Sequence, residues 1–253
     1  MKAVPSVRLE YLRPGVAVIT FDRPPVNAFD PETYDAAAEL LCSVDADPDL
    51  RVLVLTGVGE RAFTAGTDTA SLSGTVEQLD HAFVAARRFF SALGEQRRPI
   101  VGALNGPAIG GGLMIASSCD VLLACPAAYL SLPELQLGLP GGGAHLFELV
   151  PRFLATRMLL LGERLSAQDA LALGILHRVV PRTQLLSAAL SCAEQIAGLD
   201  PEAVGVAREV TRRRFADAAL SGYATEMAAM ERRLRRNAAR EERLLVSPQE
   251  TSD

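Results

Sequence analysis

The chain has 253 residues, of which 49% are hydrophobic and 22% are charged, and its net charge is −5. This composition is ordinary for a globular protein, and the net charge does not favour a nucleic-acid-binding surface. No apolar run reaches the roughly 18 residues of a membrane helix, and residues 1–10 lack the apolar core of a signal peptide. We therefore expect a cytoplasmic protein with neither a nucleic-acid nor a membrane partner.

The residue types that often bind metals or cofactors are scarce or scattered. Lys2 is the only lysine, which excludes a Schiff-base or P-loop lysine elsewhere in the chain. The cysteines form no C-x-x-C pair and the histidines no H-x-x-x-H or H-E-x-x-H pattern, so we expect reduced thiols, no metal site and no cofactor. These residues are Cys42, Cys119, Cys125, Cys192, His81, His145 and His177.

The first third of the chain alternates strand and helix patterns. Residues 15–22 are rich in β-branched side chains and predict a strand, which the Arg23-Pro24-Pro25 sequence must end. Residues 31–44 predict an amphipathic helix with a proline in its first turn, and residues 51–56 a fully buried strand. This order indicates a parallel crossover.

The central stretch is residues 100–125, IVGALNGPAIGGGLMIASSCDVLLAC, which follows a long helix predicted over residues 76–96. It predicts a strand, a glycine turn, a helix from Leu113 to about Ser118 and a second strand from Asp120. Glycines at a helix start can bring unpaired N–H groups close to a developing negative charge. They can equally serve close backbone packing, and this stretch alone leaves the two interpretations about even.

A second glycine turn, FTAGTD at residues 63–68, follows the strand that ends near Gly57. Two such turns could converge on one oxygen atom. The pair resembles the crotonase superfamily, also called the enoyl-CoA hydratase/isomerase family. The resemblance extends to RPPVNA at residues 23–28, PELQLG at residues 133–138 and several short segments between residues 155 and 181.

The resemblance implies how the two turns would act. In this family, the backbone N–H groups that correspond to Thr67 and Gly111 form an oxyanion hole for the oxygen of an acyl-CoA thioester. Further residues would contact coenzyme A, although two prolines also suit a rigid turn, and an Asp beside a turn more often caps a helix. These candidate contacts are Pro25, Val26, Ala65, Gly66 and Asp68.

The resemblance also implies an α/β fold, a crotonase-like spiral of repeated β-β-α units in residues 1–190. Residues 191–253 would form a C-terminal helical region that assembles a homotrimer or a dimer of trimers. The sequence predicts a long helix over residues 215–245 with interleaved arginines and glutamates, which is typical of a solvated or subunit-bridging face. Residues 246–253 are expected to be a frayed tail.

Glu134 stands among apolar neighbours, and burial would raise the pKa of such a carboxyl towards neutrality, as suits an acid/base catalyst. Glutamates are more often exposed, but the family match favours catalysis. The hydratases of the family carry another glutamate where this chain has Met114, and the loop at residues 138–141 is one residue shorter than usual. We expect a lone His145 to be structural.

A single carboxylate predicts enoyl-CoA isomerisation, in which one base moves a proton between two carbons. Enoyl-CoA hydration is the second hypothesis, because Glu134 alone would hold the water. A member that binds acyl-CoA without turnover is the third, motivated by Met114. A dinucleotide or P-loop site and an α/β-hydrolase are disfavoured, because G-x-G-x-x-G after a strand, G-K-[ST] and G-x-S-x-G are all missing.

Overall fold

The computed structural model describes residues 6–246. The strands are β1 (Val7–Arg13), β2 (Val16–Phe21), β3 (Val52–Gly57), β4 (Ile100–Leu104), β5 (Ala108–Ile109), β6 (Val121–Ala124), β7 (Tyr129–Ser131), β8 (Leu165–Ser166) and β9 (Arg178–Val179). The helices are α1 (Pro31–Asp45), α2 (Val76–Glu95), α3 (Gly111–Ser117), α4 (Gly143–Leu149), α5 (Arg152–Leu161), α6 (Ala167–Ala172), α7 (Arg182–Ala197), α8 (Pro201–Thr211) and α9 (Asp217–Val246).

The main sheet has six strands in the order β1-β2-β3-β4-β6-β9. Only the β1–β2 pair is antiparallel, and the four other pairs are parallel. Alternate residues enter two different cores, with Ile19 and Leu55 on one face and Val18 and Val54 on the other. A sheet covered on both faces explains why its strands read as continuous apolar runs.

The predicted parallel crossover is present, since β2 and β3 pair in parallel. The strands expected at residues 15–22 and 51–56 are β2 and β3, and the predicted helices at residues 31–44 and 76–96 are α1 and α2. The side chain of Asp30 caps α1 by accepting from the Thr33 N–H at 2.9 Å. Thr75 and Gln78 form a capping box at the start of α2, which stabilises the helix by satisfying two orphan donors.

The predicted boundary of α3 was wrong by two residues, because the helix begins at Gly111 and not at Leu113. The glycines themselves form its first turn, and a small second sheet in the order β5-β7-β8 fixes their position. Directly after β5, the Gly110 N–H donates to the Ser131 carbonyl of β7 at 2.9 Å. Tertiary pairing therefore overrides the low helix propensity of glycine.

After β9 the described part of the chain is helical. The predicted helix at residues 215–245 is α9, which packs against α2 and α4. The predicted domain boundary at residue 190 falls within α7, and the division into a core and a helical region stays a prediction. Of the expected tail, residues 247–253 lie outside the described residues. Within residues 6–246, we find no helix with the length and apolar character to cross a membrane.

Candidate active site

The turn at residues 63–68 is held by a parallel bridge to Phe29. The Phe29 N–H donates to the Gly66 carbonyl and the Asp68 N–H donates to the Phe29 carbonyl, both at 2.8 Å. In a parallel bridge, the residue between these two contacts directs its own N–H to the opposite side. That residue is Thr67, so its amide is left available on the side away from Phe29.

The second turn presents the start of α3. Gly110 has φ +58°, a conformation that favours glycine, and Gly111 is the first helical residue. The N–H of a first helical residue has no acceptor within its helix. No hydrogen bond joins the Thr67 or Gly111 amide to another residue in the described part of the chain.

The two turns lie in direct backbone contact. A Cβ added to Gly66 would stand 2.5 Å from the Gly111 nitrogen, and a Cβ added to Gly111 would stand 3.6 Å from the Thr67 nitrogen. Only glycine permits an approach this close at residue 66. The structure therefore brings the two predicted amide donors together, as an oxyanion hole requires.

Tyr34 braces the first turn, a role that no local sequence pattern indicates. Its hydroxyl forms a 2.8 Å hydrogen bond with the Thr67 hydroxyl. The ring is buried against Phe29, Phe89 and Phe90, and burial raises the pKa of Tyr34. The phenol is therefore neutral near pH 7 and fixes the Thr67 side chain beside the amide.

Glu134 lies against the second turn, at the start of a short 3₁₀ helix (Glu134–Leu137). Its Oε1 is so close to Gly110 that an added Cβ there would clash with it, and its Oε2 is buried without a hydrogen-bond partner among the described residues. Burial, reinforced by the Glu226 carboxylate, raises the pKa of Glu134 to about 7. The carboxyl can thus accept and return a proton near neutral pH.

Met114 is buried, with 4% of its surface exposed. It lies one turn into α3, where its N–H donates to the Gly110 carbonyl at 3.1 Å. A thioether offers no proton and cannot activate water. At this position the site has an apolar contact surface.

Glu226 is a second, half-buried carboxylate near the site, and it comes from α9. Its Oε1 accepts from the Ala144 N–H at 3.2 Å, and its Oε2 has no hydrogen-bond partner in residues 6–246. Burial raises the pKa of Glu226. The sequence did not reveal this residue, because it lies in a helix whose mixed charges indicated a solvated face.

A cavity with a volume of about 160 Å³ adjoins both turns, and we call it the site cavity. Of the predicted site residues, Ala65, Thr67, Gly111 and Glu134 line it. Glu134 carries the one carboxylate among the described residues of its wall. The rest of the wall is mostly apolar and includes Phe83, Phe90, Ile109, Met114, Leu137, Leu139, Tyr223, Met227 and Met230.

The other predicted coenzyme A contacts lie beside the cavity and do not line it. Val26 accepts through its carbonyl from the Ala65 N–H at 3.0 Å, and Pro25 is exposed on the same loop. Asp68 caps the 3₁₀ helix Thr69–Leu72 through the Ala70 N–H, at 3.1 Å, and pairs with Arg23 at 2.9 Å. This agrees with the expected capping role of Asp68, and contact with coenzyme A stays a prediction.

His145 has a packing role, and the described residues offer no metal site. His145 is buried beside Phe90 and Tyr223, and burial lowers its pKa to about 4. It is therefore neutral at pH 7. Across residues 6–246, we find no group of three or more His, Cys, Asp or Glu side chains arranged to hold a metal ion.

Two backbone amides and a carboxylate of raised pKa beside an apolar cavity define a site that can stabilise an oxyanion and transfer a proton. The family model for enoyl-CoA hydratase/isomerase matches residues 12–245. The chain therefore belongs to the enoyl-CoA hydratase/isomerase family, the crotonase superfamily, as the motifs predicted.

Relatives and solved structures agree with this membership. A carnitinyl-CoA dehydratase of Proteus mirabilis is 37% identical over 207 residues, which make up 79% of this chain and 78% of that protein. An enoyl-CoA hydratase/isomerase from Mycobacterium paratuberculosis has a TM-score of 0.84 and 27% identity, covering 93% of this chain and 96% of its own. An enoyl-CoA hydratase from Bacillus anthracis has a TM-score of 0.76 and 29% identity, covering 87% and 91%. The predicted crotonase-like α/β fold is confirmed.

Proposed function

We propose that the protein is an acyl-CoA enzyme that shifts the double bond of an enoyl-CoA, with Glu134 as its single acid/base. The observation that carries this proposal is the composition of the cavity wall. Glu134 is the one carboxylate among its described residues, and it stands beside the Thr67 and Gly111 amides. Moving a double bond needs one proton carrier, whereas adding water is best served by two.

The reaction follows from this arrangement. With a 3-enoyl-CoA bound, the Glu134 carboxylate takes a proton from C2, and the electron pair moves into the thioester to give a dienolate. The Thr67 and Gly111 amides donate hydrogen bonds to the thioester oxygen, where the negative charge develops. Protonated Glu134 then returns the proton to C4, and the double bond comes to lie between C2 and C3. A pKa of about 7 allows both transfers near neutral pH.

Hydration or dehydration is the second candidate, and the relatives support it. The Proteus protein is named a carnitinyl-CoA dehydratase, which removes water from its substrate. In this chain Glu134 would have to hold the water and deliver the proton alone, because Met114 can do neither. Glu226 does not line the site cavity. We therefore expect such activity to be weak.

The substrate and assembly complete the proposal. Coenzyme A would belong to the substrate and lie along Pro25, Val26, Ala65, Gly66 and Asp68. The homotrimer or dimer of trimers predicted from the sequence stays part of the proposal, and large exposed apolar side chains support it. Phe153, Leu160 and Leu161 on α5 are 80%, 61% and 68% exposed, which is typical of a surface that another subunit covers.

The test follows the ultraviolet absorbance of the conjugated thioester. A rise with a 3-enoyl-CoA, lost in Glu134→Gln, would support isomerisation. A fall with a 2-enoyl-CoA would favour hydration. If neither signal changes while acyl-CoA still binds, the proposed reaction is wrong, and a binding role or another acyl-CoA reaction takes its place.

A further inference from the structure

A second cavity, which we call the distal cavity, lies next to the site cavity and has a volume of about 340 Å³. Three helices, α2, α3 and α9, line both cavities with residues one turn apart. In each pair the first residue lines the site cavity and the second the distal cavity. The pairs are Phe90 and Leu93, Met114 and Ser117, and Tyr223 and Leu220.

The start of α4 repeats this arrangement. Gly142 lines the site cavity, and His145, three residues later, lines the distal cavity. Because four elements border both spaces, the two cavities are neighbours in the fold. A single layer of side chains separates them.

The separating layer consists of three rings in mutual contact, and we call it the ring layer. The ring centroids of Phe90 and Tyr223 are 5.1 Å apart, and the centroid of His145 lies 5.9 Å from Phe90 and 5.5 Å from Tyr223. All three side chains are buried. Tight ring packing of this kind leaves no passage for a methylene chain.

The distal cavity differs from the site cavity in polarity. Its wall includes an ion pair between Asp120 and Arg208 at 3.1 Å, together with Ser117, Ser118 and Arg212. Arg208 is 8% exposed, and its Nε has no hydrogen-bond partner in the part of the chain that the structure describes. An alkyl chain there would displace water from buried charges, which is unfavourable.

We propose that the ring layer of Phe90, His145 and Tyr223 ends the acyl-binding part of the site, so that the enzyme accepts short, compact acyl groups and rejects long ones. This inference rests on the proposed function, because it takes the site cavity to hold an acyl group. The site cavity measures about 160 Å³, and an apolar cavity of about 150 Å³ holds a molecule the size of benzene. The preferred acyl groups therefore have about six carbons or fewer.

The test uses saturated acyl-CoAs, which have no double bond to shift, so that binding is measured apart from catalysis. Titration calorimetry with acetyl-, butanoyl-, hexanoyl-, octanoyl-, decanoyl- and dodecanoyl-CoA gives affinity against chain length. Each buried methylene should raise the affinity about four-fold. We expect this increase up to hexanoyl-CoA and a constant or falling affinity beyond it.

Two variants that remove a ring from the layer should move the limit. Tyr223→Ala and, independently, Phe90→Ala should extend the rise in affinity to decanoyl-CoA, whereas Tyr223→Phe, which keeps the ring, should keep the limit near hexanoyl-CoA. Tyr11→Ala is the matched control, since Tyr11 is 56% exposed on β1, and its profile should equal that of the unaltered protein. Thermal unfolding checks that each variant is folded.

The possible outcomes separate the two proposals. An affinity that rises steadily to dodecanoyl-CoA in the unaltered protein overturns the ring-layer inference and leaves the proposed function intact. The same holds if both folded alanine variants keep the limit at hexanoyl-CoA. If no acyl-CoA binds at any length, the proposed function itself is wrong, and the inference falls with it.

Discussion

The hydroxyl groups of Tyr34 and Thr67 lie 2.8 Å apart and join α1 to the turn that carries one of the two unbonded amides. Tyr34 is 1% exposed, so the phenol side of this hydrogen bond is shielded from water. A hydrogen bond in a region of low dielectric constant is stronger than one in water. Tyr34 is therefore a positioning residue for the Thr67 amide.

Tyr34→Phe should lower kcat/KM about five-fold, which corresponds to the roughly 1 kcal/mol of one hydrogen bond. The ring and its packing stay, so thermal unfolding should change little. Tyr11→Phe is the matched control, because it removes an exposed hydroxyl that lies 2.8 Å from Asp47. Equal effects of the two substitutions on kcat/KM would contradict a role for Tyr34 in the site.

The contact between Gly66 and Gly111 gives a second prediction. Gly66→Ala would place a Cβ 2.5 Å from the Gly111 nitrogen and 2.8 Å from the Ile109 carbonyl oxygen. The turns must then separate, and we expect kcat to fall by about 10²–10³, as when one oxyanion donor is lost. Steady-state kinetics with a 3-enoyl-CoA measures this.

Gly59→Ala separates the clash from the effect of backbone conformation. Gly59 has φ +73°, close to the +76° of Gly66, but an added Cβ there would meet no atom within 4 Å. Its kcat should stay within about two-fold of the unaltered protein. A Gly66→Ala protein as active as Gly59→Ala would show that the two turns need not touch.

Local elements of this fold were predictable from the sequence, whereas contacts between distant segments were not. The strands and helices from β2 to α2 were predictable because their apolar periodicity is a local property. The convergence of the two glycine turns followed from a resemblance, since nothing in either turn encodes its distance from the other. The early start of α3 was missed, because pairing of Gly110 with β7 fixes glycines that local propensity places in a turn.

Tyr34 and Glu226 were not predictable as site residues for a related reason. Tyr34 lies on the apolar face of α1, where an aromatic side chain indicates core packing alone. Glu226 lies in a helix of mixed charges, and its part in the site depends on the start of α4, where the Ala144 N–H donates to its carboxylate. In both residues the role depends on contacts between segments far apart in sequence.

Glu226 should influence the pH dependence of the reaction. Its carboxylate is one of the causes that raise the pKa of Glu134 to about 7, and a base acts in its deprotonated form. We therefore expect kcat/KM to rise with pH through a midpoint near 7. Glu226→Gln keeps an oxygen for the Ala144 N–H, removes the like charge and should move the midpoint to lower pH.

The pH profile distinguishes this electrostatic effect from loss of structure. Glu60→Gln is the control, because it removes a carboxylate whose side chain is 83% exposed, and its midpoint should not move. If Glu226→Gln lowers kcat/KM equally at every pH, Glu226 supports the fold alone and does not affect Glu134.

Met114→Glu tests whether a second carboxylate in the site cavity would favour hydration. Met114 lines the site cavity, so the new side chain would face the substrate and could activate water. Hydration of a 2-enoyl-CoA should increase relative to Met114→Gln, which matches it in size and polarity. Burying the new polar group should cost about 1–3 kcal/mol in the free energy of unfolding. Equal hydration rates in the two variants would mean that a carboxylate here cannot reach the reacting atoms.

The raised pKa of Glu134 also has a consequence for stability. Burial raises this pKa from 4.5 to about 7, so the folded protein holds the proton more tightly than the unfolded chain does. Below pH 4.5 the carboxyl is protonated in both states and no charge is buried. As the pH rises towards 7 the folded state carries an increasing penalty, which is complete above about pH 7.

Glu134→Gln removes this penalty, because an amide does not titrate. Relative to the unaltered protein, its free energy of unfolding should increase between pH 4.5 and 7 by about 3 kcal/mol, and this gain should be constant outside that window. Urea unfolding at pH 4.5, 6 and 8 measures the difference, with Glu60→Gln as the control. A difference that is the same at all three pH values would mean that the Glu134 carboxyl ionises as readily in the folded protein as in the unfolded chain.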